Sequence, residues 1–160
     1  MSKEQSKPSS RTLLLNAAAE LMRDSGYAAV TSRKLAAKAG LKPQLVHYYF
    51  KSMDDLFIEL YREFAGELME QQKSILEADN PLRAMWNVAT QARGPLLTEF
   101  VALANHRKSI QKEITEFGHR FRQSQIDMMK EIFERKKPEG FPWSPSVAAL
   151  MLNAYRGLWR

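Results

Sequence analysis

Apolar positions along the chain recur at three- and four-residue spacing, and no stretch alternates with the period of two that a strand requires, so an all-α fold is expected. The pattern predicts a first helix from Ser10 to Asp24, burying Leu14, Ala18, Leu21 and Met22 and stopping at Gly26. A second runs from Thr31 or Ser32 to Ala39, with a hydroxyl at its start to cap free N–H groups and Gly40 to end it. A third begins near Lys42 and Pro43, since proline suits a first helical turn in which its missing N–H has no partner anyway. The fourth opens on the capping-box-like Ser52-Met-Asp-Asp and runs through Leu56, Leu60, Phe64 and Leu68 toward Ala78. It is long enough to leave a small N-terminal module and enter a second one. Asn80-Pro81 starts a fifth helix with Met85, Trp86 and Ala89, which Gly94-Pro95 is expected to end. Helices over Leu96 to Arg107 and Ser109 to Glu134 follow, then a loop from Lys136 to Pro145 and a last helix from Ser144 to Trp159 with Tyr155 in its apolar stripe.

The stretch from Thr31 to Phe50 carries the most information. Leu35, Ala36 and Ala39 are mostly small and share a helix face, so a second helix can cross closely over them with Leu41 in the corner. In that second helix Leu45, Val46 and Tyr49 share one side, while Pro43, Gln44, His47, Tyr48 and Lys51 share the other. The outward side offers an amide for base edges, an imidazole and a phenol for bases or phosphates, and a cation for the backbone, which is the chemistry a DNA major groove reads. This is the layout of a helix-turn-helix.

Charge sharpens that picture. The 160 residues hold 24 Lys and Arg against 18 Asp and Glu, a net charge of +6. Between Asp24 and Asp54 stand Arg33, Lys34, Lys38, Lys42 and Lys51 and no carboxylate, a cationic segment suited to an anionic partner. Charge runs of this kind more often face water, and it is their coincidence with the turn geometry that favours DNA. The absence of cysteine excludes a disulfide framework, thiolate metal sites and a cysteine nucleophile, and fits a cytoplasmic protein. No run approaches the roughly 20 apolar residues of a membrane span, and Met1 to Ser9 reads as a disordered basic arm.

Arg11 to Phe57, RTLLLNAAAELMRDSGYAAVTSRKLAAKAGLKPQLVHYYFKSMDDLF, resembles the N-terminal domain of tetracycline-repressor-like (TetR-family) regulators: helix, Gly, Thr, a helix-turn-helix ending in an aromatic-rich tail, then an acidic helix start. The resemblance covers the first third of the chain. It implies DNA contacts at Ser32 and Arg33 and at Pro43, Gln44, Leu45, His47, Tyr48 and Tyr49, with Lys42 and Lys51 as further cations. His47 stands where the family usually has a phosphate-binding Tyr, and Met53 where it often has a phosphate-binding Lys whose place Lys51 or Lys42 is expected to take. For Tyr49 the two arguments diverge: spacing puts it on the packed side, the resemblance puts it on DNA, and a tyrosine can bury its ring while offering its hydroxyl. The resemblance also implies a domain at 10–57 for DNA (motif 31–50) and one at 58–160 for effector binding and dimerisation. Family members continue through a further helix, so the chain is expected to lack its natural C-terminus.

The second domain is dense in Met85, Trp86, Phe100, Leu103, Phe117 and Phe121, adaptable or aromatic groups that suit a cavity for a small apolar or amphipathic effector, with Asn87, His106 and His119 as polar groups to orient it. A fully packed core would use the same residues. No histidine of the three has a helix-spaced metal-ligand partner, and there is no phosphate-cradling glycine loop or nucleophile elbow, so neither an enzyme nor a cofactor is expected. The sequence thus points to a ligand-responsive repressor acting as a homodimer on a pseudo-palindromic operator. The competing reading is a basic helical protein that binds membrane surfaces or other proteins without DNA sequence specificity.

Overall fold

The computed structural model of the chain describes residues 8–90, 94–136, 144 and 147. Its helices are α1 (Ser10–Ser25), α2 (Ser32–Ala39), α3 (Pro43–Tyr49), α4 (Met53–Glu77), α5 (Pro81–Thr90), α6 (Gly94–Ala104) and α7 (Lys108–Lys136), with a 3-10 turn at Tyr27–Ala29. No strand occurs among the described residues. The arm up to Lys7, most of the loop from Lys136 to Pro145 and nearly all of the last expected helix, Tyr155 included, lie outside them. At Ser144, however, the hydroxyl accepts the Val147 N–H at 3.4 Å, the cap expected there.

Each helix start has a local cause. Ser9 Oγ accepts from Thr12 N, Thr31 Oγ1 from Lys34 N, Ser52 Oγ from Asp55 N and Asn80 Oδ1 from Arg83 N, so four of the six α-helices that start within α1–α6 carry a side-chain cap of the kind their sequences announce. One boundary departs from expectation. Gly94-Pro95 does not end the fifth helix but opens α6, because a proline within a first turn removes only an N–H that had no helical partner. That helix also stops at Ala104, short of Arg107, and a turn at Asn105 and His106 leads into α7.

Two compact units are present. One takes the chain up to Glu63 and returns for α6 and the start of α7 as far as Ile114; the other begins at Phe64 and again at Thr115. In the first, Leu14, Ala18 and Met22 of α1, Leu35 and Ala36 of α2, Val46 of α3 and Leu56 and Phe57 of α4 are buried, as are Leu96, Phe100 and Leu103 of α6 and Ile110 of α7. Leu21, expected in this core, is only half-buried. The rings of Tyr61 and Phe100 meet edge to face at 5.0 Å, a favourable aromatic geometry. In the second unit Ile75, Met85, Met128, Met129 and Ile132 form an apolar cluster, flanked by Leu76, Ala84, Ile126 and Phe133.

The first unit is tied across its helices by carboxylates. Glu99 of α6 accepts the Tyr27 N–H at 2.7 Å, just after α1 ends at Gly26 with φ 78°. A Cβ at Gly26 would stand 3.2 Å from the Glu99 carboxylate, so both the backbone conformation and the close approach call for glycine. At the start of α4, Asp54 accepts hydrogen bonds from Ser109 Oγ at 2.7 Å and from the Arg107 guanidinium, which also lies 5.8 Å over the Phe57 ring. Arg62 of α4 grips Glu113 of α7 through two parallel bonds of 2.8 and 2.9 Å.

The Ser109 hydroxyl, and with it Arg107, hold the Asp54 carboxyl below its ordinary value of 3.8. Since the folded-state pKa is the lower one, the stabilisation is fully present above the unfolded value and is lost as pH falls through the folded value. Asp54→Asn should therefore lower stability by about 1 kcal/mol near neutrality, the scale of a half-exposed ion pair with one extra hydrogen bond. Urea unfolding of both proteins should show the gap closing below about pH 4; a gap that persists in acid would assign the effect to packing instead.

Candidate nucleic-acid interface

The geometry of the motif begins at Gly40. Its φ of 68° is left-handed, and the Leu41 N–H reaches back to Ala36 O at 2.9 Å while the Gly40 N–H bonds Ala37 O at 3.2 Å. This pair of bonds is the Schellman closure, which satisfies the last carbonyls of α2 and turns the chain sharply. Pro43 then starts α3 two residues after Leu41, so the angle between α2 and α3 is set by a few residues with little backbone freedom. Val46 is buried and Leu45 half-buried beneath the helix, and Phe50, buried at its end, lies 5.7 Å under the Arg11 guanidinium. Arg11 in turn pairs with Glu59 at 2.5 Å, fixing the ring from above.

What remains outside is most of the expected face: Pro43, Gln44, His47 and Tyr48 are exposed on α3, and Tyr48, at 78 %, is the most exposed large apolar-bodied side chain described. Lys42 and Lys51 are exposed too, but Lys51, expected on the outward side of the helix, lies beyond it, because the chain turns extended at Phe50, whose ring is buried. Tyr49 is half-buried and meets the Tyr48 ring edge to face at 5.0 Å, so it buttresses Tyr48 while keeping part of its surface open. Arg33 is exposed on α2, whereas Ser32 is half-buried with its hydroxyl 3.7 Å from Met53 Sδ. The cations are not equivalent. Lys38 pairs with Glu20 at 3.0 Å and Asp24 at 3.3 Å, and its hydrogen bond to Glu20, then that to Asp24, raises its pKa above the ordinary value. It bridges α1 and α2 and drops out of the cationic run, leaving Arg33, Lys34, Lys42 and Lys51 for an anionic partner.

The residues expected around an effector divide between the two units. Phe100 and Leu103 are buried in the first, where His106 is exposed with its ring 6.3 Å from Tyr27. Met85, Phe117 and Phe121 belong to the second, with Phe117 and Phe121 stacked at 5.5 Å; the side chain of Trp86 lies outside the described residues. Asn87 and His119 are exposed. Among the described residues there is no cluster of His, Asp or Glu able to hold a metal ion, and no helix long and apolar enough to cross a membrane. Sequence reasoning missed the ties made by Glu99, Asp54 and Arg107. Their partners lie 72, 55 and 53 residues away, beyond any periodic signal.

Comparison with known proteins agrees with this architecture. Residues 14–60 match the family described as bacterial regulatory proteins, tetR family. The HTH-type transcriptional regulator BetI of Rhizobium meliloti is 35% identical over 72 residues, covering 45% of this chain and 36% of that protein, so the chain is aligned to about a third of that relative's length. A transcriptional regulator from Rhodococcus sp. Rha1 superimposes with a TM-score of 0.73 at 20% identity, over 94% of this chain and 81% of the other. NalD, the secondary repressor of the MexAB-OprM multidrug efflux pump in Pseudomonas aeruginosa, does so with a TM-score of 0.54 at 20% identity, over 92% and 79%. At such identities the structural likeness speaks for the fold, while the sequence match speaks for the module that reads DNA in these regulators. Residues 14–60, the helix-turn-helix module, are thus similar in sequence to the tetR family of bacterial regulatory proteins, and the described helices share the fold of these regulators.

Proposed function

We propose that the protein is a ligand-responsive repressor that binds a pseudo-palindromic operator as a homodimer, with Gln44 and Tyr48 reading bases and Arg33, Lys42 and Lys51 holding phosphates. The observation that carries this reading is the exposed face of α3: Lys42, Gln44, His47, Tyr48 and Lys51 stand free of carboxylates on a helix fixed by the Gly40 turn. Ser32, Pro43, Leu45, His47 and Tyr49 complete the proposed contact set, Leu45 and Tyr49 through the smaller part of their surface that is left open. Residues 10–57 act as the DNA-reading domain and the remainder as the effector and dimerisation domain. An apolar or amphipathic effector taken up by the second unit, with Met85, Phe117 and Phe121 among its neighbours, biases α4, which runs from one unit into the other. It releases DNA only to the extent that it prefers the non-binding conformation, typically about 1–3 kcal/mol of coupling.

Selection of bound sequences from a random DNA pool tests the core of this reading, and an inverted repeat is the expected product. Within the selected site, Gln44→Ala should relax preference at one base pair per half-site by ~1–3 kcal/mol, because an amide pairs with an adenine edge through two bonds. Lys51→Ala should weaken binding evenly across sequences and flatten the salt dependence, as a lost phosphate contact does. Unchanged preference in Gln44→Ala would displace the reading face from α3.

A dimer whose recognition helices fall in successive major grooves places them roughly 34–36 Å apart. Sedimentation of the protein at micromolar concentration should give twice the chain mass, and Tyr155→Glu should shift it toward the monomer. Tight binding of an inverted repeat by a strictly monomeric protein would remove preformed pairing. For the effector, thermal-shift screening of apolar small molecules followed by operator titration should yield hits that both stabilise the protein and weaken DNA binding. Hits that stabilise without changing operator affinity would separate binding from switching.

A further inference from the structure

The second unit contains a buried amide with nothing to bind. Gln72 of α4 is only 6 % exposed, and neither its Oε1 nor its Nε2 has a hydrogen-bond partner; the Oε1 of the preceding Gln71 is buried and unpartnered as well. Gln125, the other buried amide of this unit, does have a partner. Buried polar groups in folded proteins are nearly always satisfied, so an amide with both ends free calls for a reason. Packing supplies none. Methionine has nearly the same length and shape without the polar atoms, and the neighbouring apolar cluster already uses it at 85, 128 and 129.

Gln72 sits one helical turn before Ile75, on the same face of α4, and Ile75 belongs to that cluster. A glutamine amide presents an acceptor oxygen and a two-hydrogen donor side by side. The group that satisfies both at once carries a donor and an acceptor in the complementary order, as a primary amide does. A carboxylate would satisfy the donor alone, leaving the amide oxygen unpaired, and would carry a charge into a buried position. Methionine side chains, being unbranched and polarisable, adapt to the apolar remainder of such a molecule.

We propose that Gln72 is the polar anchor of the effector site and that the effector is a neutral molecule with an amide-like donor–acceptor pair on an apolar body. This rests on the reading of the second unit as the effector domain, and it adds which residue selects the ligand and for what chemistry. The test uses hexanamide and hexanoate as matched probes on the full chain without DNA, followed by ligand-observed NMR and thermal denaturation. Hexanamide should bind about tenfold more tightly than hexanoate, the difference one well-made buried hydrogen-bond pair supplies. Gln72→Met should raise the Tm of the free protein by about 2–4 °C, since an unsatisfied amide is replaced by an apolar side chain of like shape, and should abolish the preference for hexanamide. Equal binding of the two probes to the natural chain overturns the proposal without recourse to any variant. A fall in Tm for Gln72→Met overturns it too, because the amide would then be satisfied in the free protein by water or by a second copy of the chain. Operator titration in the presence of hexanamide separates the two readings: probe binding through Gln72 with unchanged operator affinity upholds the anchor and removes the effector-responsive repressor.

Discussion

The left-handed residue at Gly40 is the constraint on which the outward face of α3, the proposed DNA-reading surface, depends. Helix α3 has only seven residues, too short to hold an orientation by its own helical propensity, so its direction is inherited from the turn that precedes it. That turn is closed by two backbone bonds to α2 and followed almost at once by a proline. Nothing lies within 4 Å of where a Gly40 side chain would begin, so it is the backbone conformation and not space that demands glycine there. With the turn fixed, burial of Val46 and Phe50 sets the rotation of α3 about its axis, and Gln44, His47 and Tyr48 are left outside.

Charge in the first unit is sorted by role. The carboxylates Glu20, Asp24, Asp54, Glu59, Glu99 and Glu113 bridge elements, pairing with Lys38, Arg107, Arg11 and Arg62 or capping the Tyr27 backbone. Most of these pairs are partly exposed and individually weak. Their effect is local and geometric: they use up acidic groups in places where they join helices, and the charged residues that flank α3, Lys42 and Lys51, are both cations. A single carboxylate on that face would oppose the phosphate contacts proposed for the neighbouring lysines. Because α6 and the start of α7 are tied to α1 and α4 in this way, they belong to the same compact unit as the helix-turn-helix, although residues 64–92 of the other unit intervene along the chain.

The second unit follows a different logic. Its core contains isoleucine and methionine, the latter adaptable, and beside it stands the orphaned amide of Gln72, a group that costs stability for as long as it is unsatisfied. Sites that must bind something are commonly less stable when empty, since the groups that recognise a ligand are unsatisfied until it arrives.

Local chemistry was legible in the sequence. The caps at Ser9, Thr31, Ser52 and Asn80, the stop signals at Gly26 and Gly40 and the period of the apolar positions are interactions within a turn or two of helix, so they fixed α1, α2 and α4 to within a residue, whereas α3, which has no such stop signal, ends two residues short of Lys51. The outward face of α3 followed from the same periodicity, because a helix with one packed side has a determined free side. The sequence could not separate Lys38 from its neighbours, since its ion pairs come from α1, and it could not divide Phe100 and Leu103 from Met85 and Phe117, which share composition but lie in different units. Glu99, Asp54 and Gln72 looked like ordinary polar residues of helix surfaces. Only the tertiary structure decided that the first caps the Tyr27 backbone just after α1, the second clamps the entry to α7 and the third is buried without a partner, because burial and long-range pairing depend on which distant helix arrives opposite each residue.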